Sequence, residues 1–193
     1  MGGNMNNNVT GAFFHHFVED MEDHPLVIQE SVACVVRFNT RGVGQSTGSS
    51  TVTAWEERDD IISVCNYVLE RCNIQKIIFI GYSCGSLLTS GVADLIPQVH
   101  SFVAISYPKG WWASWLFSNH YKEVLPSKKP KLFILGTSDQ FASTDSFSVW
   151  FDDVLKEPKK LQIYDGDHFW FGMEVKLLET VKKWMVNQIL STI

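Results

Sequence analysis

The sequence lacks an apolar run of the roughly 18 residues that a membrane-spanning helix needs. Residues 1–7 contain neither the basic nor the apolar segment of a secretory signal peptide. Asn6 stands where a myristoylation motif requires Ser or Thr. These absences predict a cytoplasmic protein that does not associate with membranes.

Cysteine and positive charge are also scarce. The four cysteines, at positions 34, 65, 72 and 84, have no metal-ligand spacing, so we expect reduced, mostly buried thiols and no metal site. The formal net charge of −5 argues against a broad nucleic-acid surface. The chain has no internal repeat and no low-complexity stretch. With 193 residues, 45% of them hydrophobic, it is predicted to form one globular domain over residues 1–193.

Helical and strand patterns alternate along the chain. Helices are predicted at 9–22, 54–72, after Gly85, near 144–155 and at 174–190, and strands at 31–38, 76–81, 99–106, 131–136 and 160–164. A Gly-, Ser- and Thr-rich loop covers 39–53, and 107–130 is predicted to be irregular. Fully apolar strands that alternate with helices predict an α/β fold, with a mostly parallel sheet covered by helices on both faces.

The motif Gly81-Tyr82-Ser83-Cys84-Gly85 lies between the apolar strand and the helix that follows it. A Gly-x-Ser-x-Gly turn in this context is typical of a nucleophile elbow, which holds its serine in a strained conformation above the sheet edge. We expect both glycines to let the strand and helix backbones pass close together. Ser83 is therefore the candidate nucleophile.

A serine nucleophile needs a histidine base and a carboxylate that orients the histidine. Asp139 follows the strand at 131–136, and His168 follows the strand at 160–164. Asp165 and Asp167 are rival carboxylates, although their place in the same tight loop favours a turn-forming role. Taken alone, His168 could be a surface histidine and Asp139 a turn former or helix cap.

Cys84 is the rival nucleophile, because a thiol is more nucleophilic than a hydroxyl. An elbow centred on Cys84 would need a small residue two positions earlier, and Tyr82 is too large. The predicted role of Cys84 is its backbone N–H, as a donor in the oxyanion hole.

Together these motifs resemble the α/β-hydrolase superfamily, and within it the small cap-less serine hydrolases related to dienelactone hydrolases. The matching segments are 2–7, 37–46, the elbow, 136–139 and 166–169, with Ser83, Asp139 and His168 in the superfamily's chain order. The resemblance implies a three-layer fold, N-terminally shortened, with these three residues as the catalytic triad. It also implies hydrolysis of small carboxylic esters or thioesters without a cofactor.

In the family, a strand that ends in an oxyanion loop precedes the Gly-Gly segment and pairs centrally, between the equivalents of 31–38 and 76–81. We expect this sequence to lack that strand and the outer strands before it. Three alternatives stay open: the flanking strands pair directly, the sheet is incomplete and compensated, or the sequence is part of a longer product. An unpaired central edge would favour association, so the oligomeric state is open and a dimer is one alternative.

Aromatic residues lie where the resemblance places the substrate loops. We expect Tyr82, Trp111, Trp112 and Phe169 to bind an apolar acyl or aryl group of a small ester. The alternatives are core packing and a surface for a partner. The alternative function is a non-catalytic binding or scaffold protein that keeps the elbow as a relic of the fold.

Overall fold

The structure is a computed structural model that describes residues 8–18, 32 and 34–190. Seven α-helices and four strands are present in that part of the chain. The helices are α1 (Asn8–Val18), α2 (Trp55–Arg71), α3 (Cys84–Val92), α4 (Trp111–Leu116), α5 (Ser118–Val124), α6 (Thr144–Val154) and α7 (Glu174–Leu190). The strands are β1 (Ile77–Tyr82), β2 (Val99–Ile105), β3 (Lys131–Gly136) and β4 (Lys159–Tyr164).

The four strands form one parallel sheet in the order β1-β2-β3-β4. The central register aligns Tyr82 with Ile105, and Ile105 with Ile134. Since every strand runs in the same direction, all the carboxyl ends meet at one edge of the sheet. The loops that contain Ser83, Asp139 and His168 all leave from this edge, where open α/β sheets place their sites.

Each face of the sheet is buried under helices, as the predicted fold class requires. Alternate residues of a strand point to opposite faces, so β2 directs Phe102 and Ala104 to one face and Val103 and Ile105 to the other. The first pair packs in a core with buried residues of α2 to α6, and the second pair packs with α1 and α7. The sequence prediction of a mostly parallel sheet with helices on both faces is confirmed.

Two predicted segments differ from the structure. Among residues 32 and 34–38 the predicted strand is absent, and β1 pairs only with β2 within the described chain. Apolar, β-branched residues favour extended backbone, but a strand also needs a neighbouring ladder. Direct pairing of this segment with β1 is therefore not found.

The stretch 107–130 is not irregular throughout, since it contains α4 and α5. Residues 19–22 of the predicted first helix lie outside the described chain.

The cysteines are free thiols, but they are less buried than expected. Cys65 is buried, Cys72 and Cys84 are partly buried, and Cys34 is exposed. The expected burial of Cys34 depended on the strand predicted at 31–38, which the described residues do not form.

The Gly-rich loop that follows residue 38 is fastened to α2 by Arg41. The Arg41 guanidinium donates to Asp60 at 2.7 to 3.2 Å and also pairs with Glu56, and the Arg41 backbone N–H donates to Asp60 at 2.8 Å. Gly42 has φ +68°, and a Cβ there would lie 2.5 Å from Ser50 N, so a side chain would not fit. Arg41 thus pairs with two carboxylates of α2, and these contacts fasten the loop to the helix.

Replacing Asp60 by asparagine is expected to lower the melting temperature at pH 7 by a few degrees. Hydrogen bonds from Arg41 hold the pKa of Asp60 below its usual value. A depressed folded-state pKa adds stability above the unfolded value of about 3.9, and this stability is lost as pH falls through the folded pKa. Thermal unfolding at pH 7 and near pH 3 measures the effect. Asp59→Asn, an exposed neighbour on α2, is the control. An equal effect of Asp60→Asn at both pH values would contradict this account.

Candidate active site

Ser83 lies in a sharp turn between β1 and α3. Its backbone has φ +54° and ψ −127°, a conformation that is unfavourable for a residue with a side chain. Gly81 makes the turn feasible, because a Cβ there would lie 2.4 Å from Thr89 Oγ1 and 2.5 Å from Ser86 Cα. Gly85 is different, since a Cβ at that position would meet no neighbour within 4 Å. The expectation that both glycines serve a close approach is therefore correct only for Gly81.

Asp139 is brought to the site by contact between the loops that follow β3 and β4. Gly136 ends β3, and a Cβ there would lie 2.2 Å from Gly166 O, so the two loop backbones touch at this point. Ser138 N–H donates to Gly166 O at 2.9 Å, which continues the pairing beyond the strands. Asp139 follows directly, and its side chain is fully buried.

His168 contacts both of the other candidate residues. Its Nε2 lies 2.9 Å from Ser83 Oγ, and its Nδ1 lies 2.9 and 3.0 Å from the two carboxylate oxygens of Asp139. With the proton on Nδ1, His168 donates to Asp139 and its Nε2 accepts from the Ser83 hydroxyl. The His168 side chain is only 5% exposed, so little water competes for these hydrogen bonds.

The two rival carboxylates have other partners. Asp165 accepts from Thr137 Oγ1 at 3.2 Å. Asp167 accepts from the backbone N–H groups of Phe169 and Trp170 at 2.9 and 3.1 Å, which closes the turn after His168. Both aspartates are exposed, whereas Asp139 is buried against the imidazole. The turn-forming role expected for this pair agrees with these contacts.

Cys84 is the first residue of α3, next to Ser83. The first N–H groups of a helix have no partner within the helix, so the Cys84 N–H is placed as an oxyanion donor would be. Burial raises the pKa of the Cys84 thiol. Since the thiolate is the nucleophilic form of cysteine, this shift disfavours Cys84 as a rival to Ser83.

Aromatic rings surround His168. The Tyr82 ring lies 5.7 Å from the imidazole and the Phe169 ring lies 5.5 Å from it, between centroids. Phe141 lies nearer, at 4.5 Å and edge to face, and its N–H donates to Asp139 Oδ1 at 2.8 Å. Two of the predicted substrate-binding residues, Tyr82 and Phe169, thus contact the site. Phe141 was missed, although its position two residues after Asp139 was a usable signal.

The predicted aromatic residues on α4 are arranged differently. Trp111 is 86% exposed and Trp115 is 81% exposed. Trp112 belongs to the same helix, but its side chain lies outside the described part of the structure. By contrast, Trp150 stacks on Tyr107 at 5.7 Å within the core. Core packing therefore accounts for some of the aromatic residues and leaves Trp111 on the surface.

Sequence reasoning gave no role to Ser106 and Trp170. Ser106 follows β2 at the same sheet edge, with φ +51°, and its hydroxyl lies 3.3 Å from His168 O. Trp170 is almost completely buried, and its Nε1–H donates to Ser106 Oγ at 2.7 Å. The only sequence signal for Ser106 was a polar residue at the end of a strand adjacent to the elbow strand.

Two surface cavities lie away from these side chains. One, of about 660 Å³, is near the amino ends of the strands and includes Lys76, His100 and Lys129 in its lining. The other, of about 520 Å³, lies beside Arg41 and Glu56. Neither is lined by Ser83, Asp139 or His168, so neither is a pocket for a group attached to Ser83.

The described residues contain neither a metal-binding cluster nor a membrane-spanning helix. No cluster of three or more His, Cys, Asp or Glu side chains there could hold a metal ion. No helix within residues 8–18 and 34–190 is long and apolar enough to cross a membrane.

Comparison with known proteins gives a family match and several structural matches. The model of the α/β hydrolase fold family matches residues 2–119, more than half of the chain. An α/β serine hydrolase homologue from Coxiella burnetii superimposes with a TM-score of 0.73 at 22% identity, over 94% of this chain and 78% of that one.

Two further structures have the same architecture. A serine hydrolase without a lid from Xanthomonas campestris has a TM-score of 0.73 and 23% identity, over 95% of this chain and 76% of its own. An esterase from Pyrococcus furiosus has a TM-score of 0.67 and 17% identity, over 90% and 77%. At these identities the structural matches establish the fold alone. The more specific relation to dienelactone hydrolases stays a prediction.

Proposed function

The chain belongs to the α/β hydrolase fold family, and from this premise we propose that it is a serine hydrolase of small carboxylic esters or thioesters. Ser83 is the proposed nucleophile, His168 the general base and acid, and Asp139 the residue that orients His168. The observation that carries the proposal is the pair of contacts made by one imidazole, 2.9 Å to Ser83 Oγ and 2.9 Å to Asp139 Oδ2. A base within hydrogen-bond reach of its nucleophile, held by a third group, is the arrangement that activates a hydroxyl.

The reaction proceeds in two halves. Ser83 Oγ attacks the ester carbonyl carbon while His168 Nε2 accepts the hydroxyl proton. The carbonyl oxygen becomes an oxyanion, which the Cys84 N–H stabilises. When this intermediate collapses, the bond to the leaving alcohol or thiol breaks, His168 returns the proton to the leaving group, and the acyl group stays on Ser83. Water then attacks the acyl-enzyme with His168 again as base. The bond from the acyl carbon to Ser83 Oγ breaks, His168 returns the proton to Oγ, and the carboxylic acid leaves.

Asp139 acts on the histidine. Its buried carboxylate accepts from Nδ1–H, which keeps Nε2 as the acceptor that faces Ser83. The same negative charge stabilises the imidazolium that forms when His168 takes the proton. No step calls for a metal ion or a cofactor.

The surroundings of His168 support the proposed substrate class. The rings of Tyr82, Phe141 and Phe169 give apolar contact area close to the reacting hydroxyl, and this suits a small apolar acyl or aryl group.

The alternative, a non-catalytic scaffold that keeps the elbow as a relic, is not favoured. A relic would not need to keep a strained φ at Ser83 together with a buried His168 and Asp139 in mutual contact. Strain of this kind persists where the surrounding structure enforces it, and it is concentrated at functional sites.

Covalent labelling with a fluorophosphonate tests the proposal. An activated serine displaces the fluoride and acquires the phosphonyl group, so wild type is expected to gain one adduct, located on Ser83 by peptide mass spectrometry. Ser83→Ala is expected to abolish labelling. Ser138→Ala is the matched control, because Ser138 is an exposed serine one residue before Asp139.

Labelling is compared in samples whose circular dichroism shows the native fold. Absence of an adduct on folded wild type would refute the proposal. So would an adduct that persists in Ser83→Ala, because the reactive residue would then be another one.

A further inference from the structure

The backbone carbonyl of His168 is held by two side chains from neighbouring strands. Tyr82, the last residue of β1, donates its hydroxyl to His168 O at 2.9 Å. Ser106, directly after β2, donates its hydroxyl to the same oxygen at 3.3 Å. His168 itself lies in the loop after β4, so these two donors connect that loop to the far side of the sheet.

A third residue orients the Ser106 hydroxyl. Trp170 Nε1–H donates to Ser106 Oγ at 2.7 Å. A serine hydroxyl carries one proton and two lone pairs, so Ser106 accepts from Trp170 and donates to His168 O at the same time. Ser106 is completely buried and Trp170 is 1% exposed, so water does not replace either bond.

Ser106 and Trp170 both have an unusual backbone conformation. Ser106 has φ +51° and Trp170 has φ +60°, in the left-handed region that side chains disfavour. Such a conformation is strained and persists only where the surroundings enforce it. The strain therefore lies at the two residues that this hydrogen bond joins, Ser106 after β2 and Trp170 in the His168 loop itself.

Tyr82 remains a donor over the ordinary pH range. Burial, with the nearby charges of Asp139 and Asp167, raises the pKa of Tyr82 to about 12. Its hydroxyl thus keeps its proton in any assay near neutral pH.

We propose that Tyr82, Ser106 and Trp170 are positioning residues that fix the main chain at His168, so that its imidazole stays between Ser83 and Asp139. The inference rests on the proposed function and gives the Tyr82 hydroxyl a role beside the apolar contact that the Tyr82 ring offers to the substrate. An imidazole that must reach Oγ on one side and a carboxylate on the other tolerates little displacement. A misplacement of about 1 Å is enough to slow a reaction about a hundredfold.

Tyr82→Phe is the sharpest test, since it removes one oxygen and keeps the ring. We expect kcat for a p-nitrophenyl ester to fall by about tenfold to a hundredfold with KM almost unchanged. Tyr164→Phe is the matched control, because it removes a 2.6 Å hydroxyl contact with Thr180 that is not linked to His168. A rise in KM at constant kcat would overturn the proposal in favour of substrate binding, and so would equal effects of the two variants.

A second readout does not require activity. The His168 Nδ1–H, bonded to a buried carboxylate, should exchange slowly with water and give an NMR signal that is absent from His168→Ala. Tyr82→Phe is expected to shift this signal or lose it to exchange, and Tyr164→Phe to leave it unchanged. If wild type is inactive but the signal responds in this way, the proposed function fails and the positioning role stands. A signal that is the same in both variants overturns the positioning role.

Ser106→Ala covers the case in which Tyr82→Phe does not fold. It removes the other donor to His168 O and also leaves Trp170 Nε1 without its acceptor. The same decrease in kcat and the same change in the His168 signal are expected, and wild-type values for both would overturn the proposal.

Discussion

Replacing His168 by alanine is expected to lower kcat for a p-nitrophenyl ester by on the order of 10⁶, the loss seen when the base of a comparable serine enzyme is removed. Without the imidazole, the Ser83 hydroxyl keeps its proton during attack and the leaving group receives none. The proposed substrate contacts of Phe141 and Phe169 are unaffected by this change, so we expect KM to change much less than kcat.

The double variant Ser83→Ala with His168→Ala makes this prediction specific. Nucleophile and base act as one unit, so the double variant should lose no more activity than either single variant. His100→Ala is the control, since His100 lies in β2 near the opposite end of the sheet. Retention of a substantial fraction of wild-type kcat by His168→Ala would show that another group is the base. Additive losses in the double variant would show that the two residues act separately.

Replacing Asp139 by asparagine is expected to lower kcat by about 10⁴-fold, which is the loss that the same exchange causes in the catalytic triad of a serine protease. The amide group presents an N–H to Nδ1, which favours the tautomer whose proton lies on Nε2. That tautomer cannot accept the proton of Ser83, and the neutral amide no longer stabilises the imidazolium. Because Asn is nearly isosteric with Asp, the fold should be preserved, and circular dichroism checks this.

Asp165→Asn and Asp167→Asn provide matched comparisons in the loop of His168 itself. Each asparagine keeps a side-chain oxygen that accepts the existing bonds, from Thr137 at one position and from the Phe169 and Trp170 N–H groups at the other. We expect losses below about tenfold, because neither aspartate touches the imidazole. Our assignment of the acid would be wrong if Asp139→Asn stayed active while either of these variants lost activity.

The strand predicted at 31–38 shows a limit of sequence reasoning. Most of its residues are apolar and three are valines, which favour extended backbone, but a strand exists only where another segment supplies ladder partners. Local sequence does not contain that information. The helices at 111–124 were missed for a related reason: each has six or seven residues, and periodicity is hard to read over so short a length.

The sequence by itself determined the α/β class, the alternation of elements and the location of three candidate residues just beyond strand ends. These features depend on short-range rules: hydrophobic period, turn glycines and the place of a Gly-x-Ser-x-Gly motif between strand and helix. In a parallel sheet, the same rules place Ser83, Asp139 and His168 at one edge.

Only the tertiary structure decided which side chains meet there. It separated Asp139 from Asp165 and Asp167 through the contact of Gly136 with Gly166, which buries one carboxylate against His168 and leaves two exposed. In the folded chain Trp111 is exposed at the surface. The hydroxyls of Tyr82 and Ser106 both donate to the backbone carbonyl of His168. These outcomes depend on contacts between residues 29 to 86 positions apart, and local sequence patterns do not encode the distances between such residues.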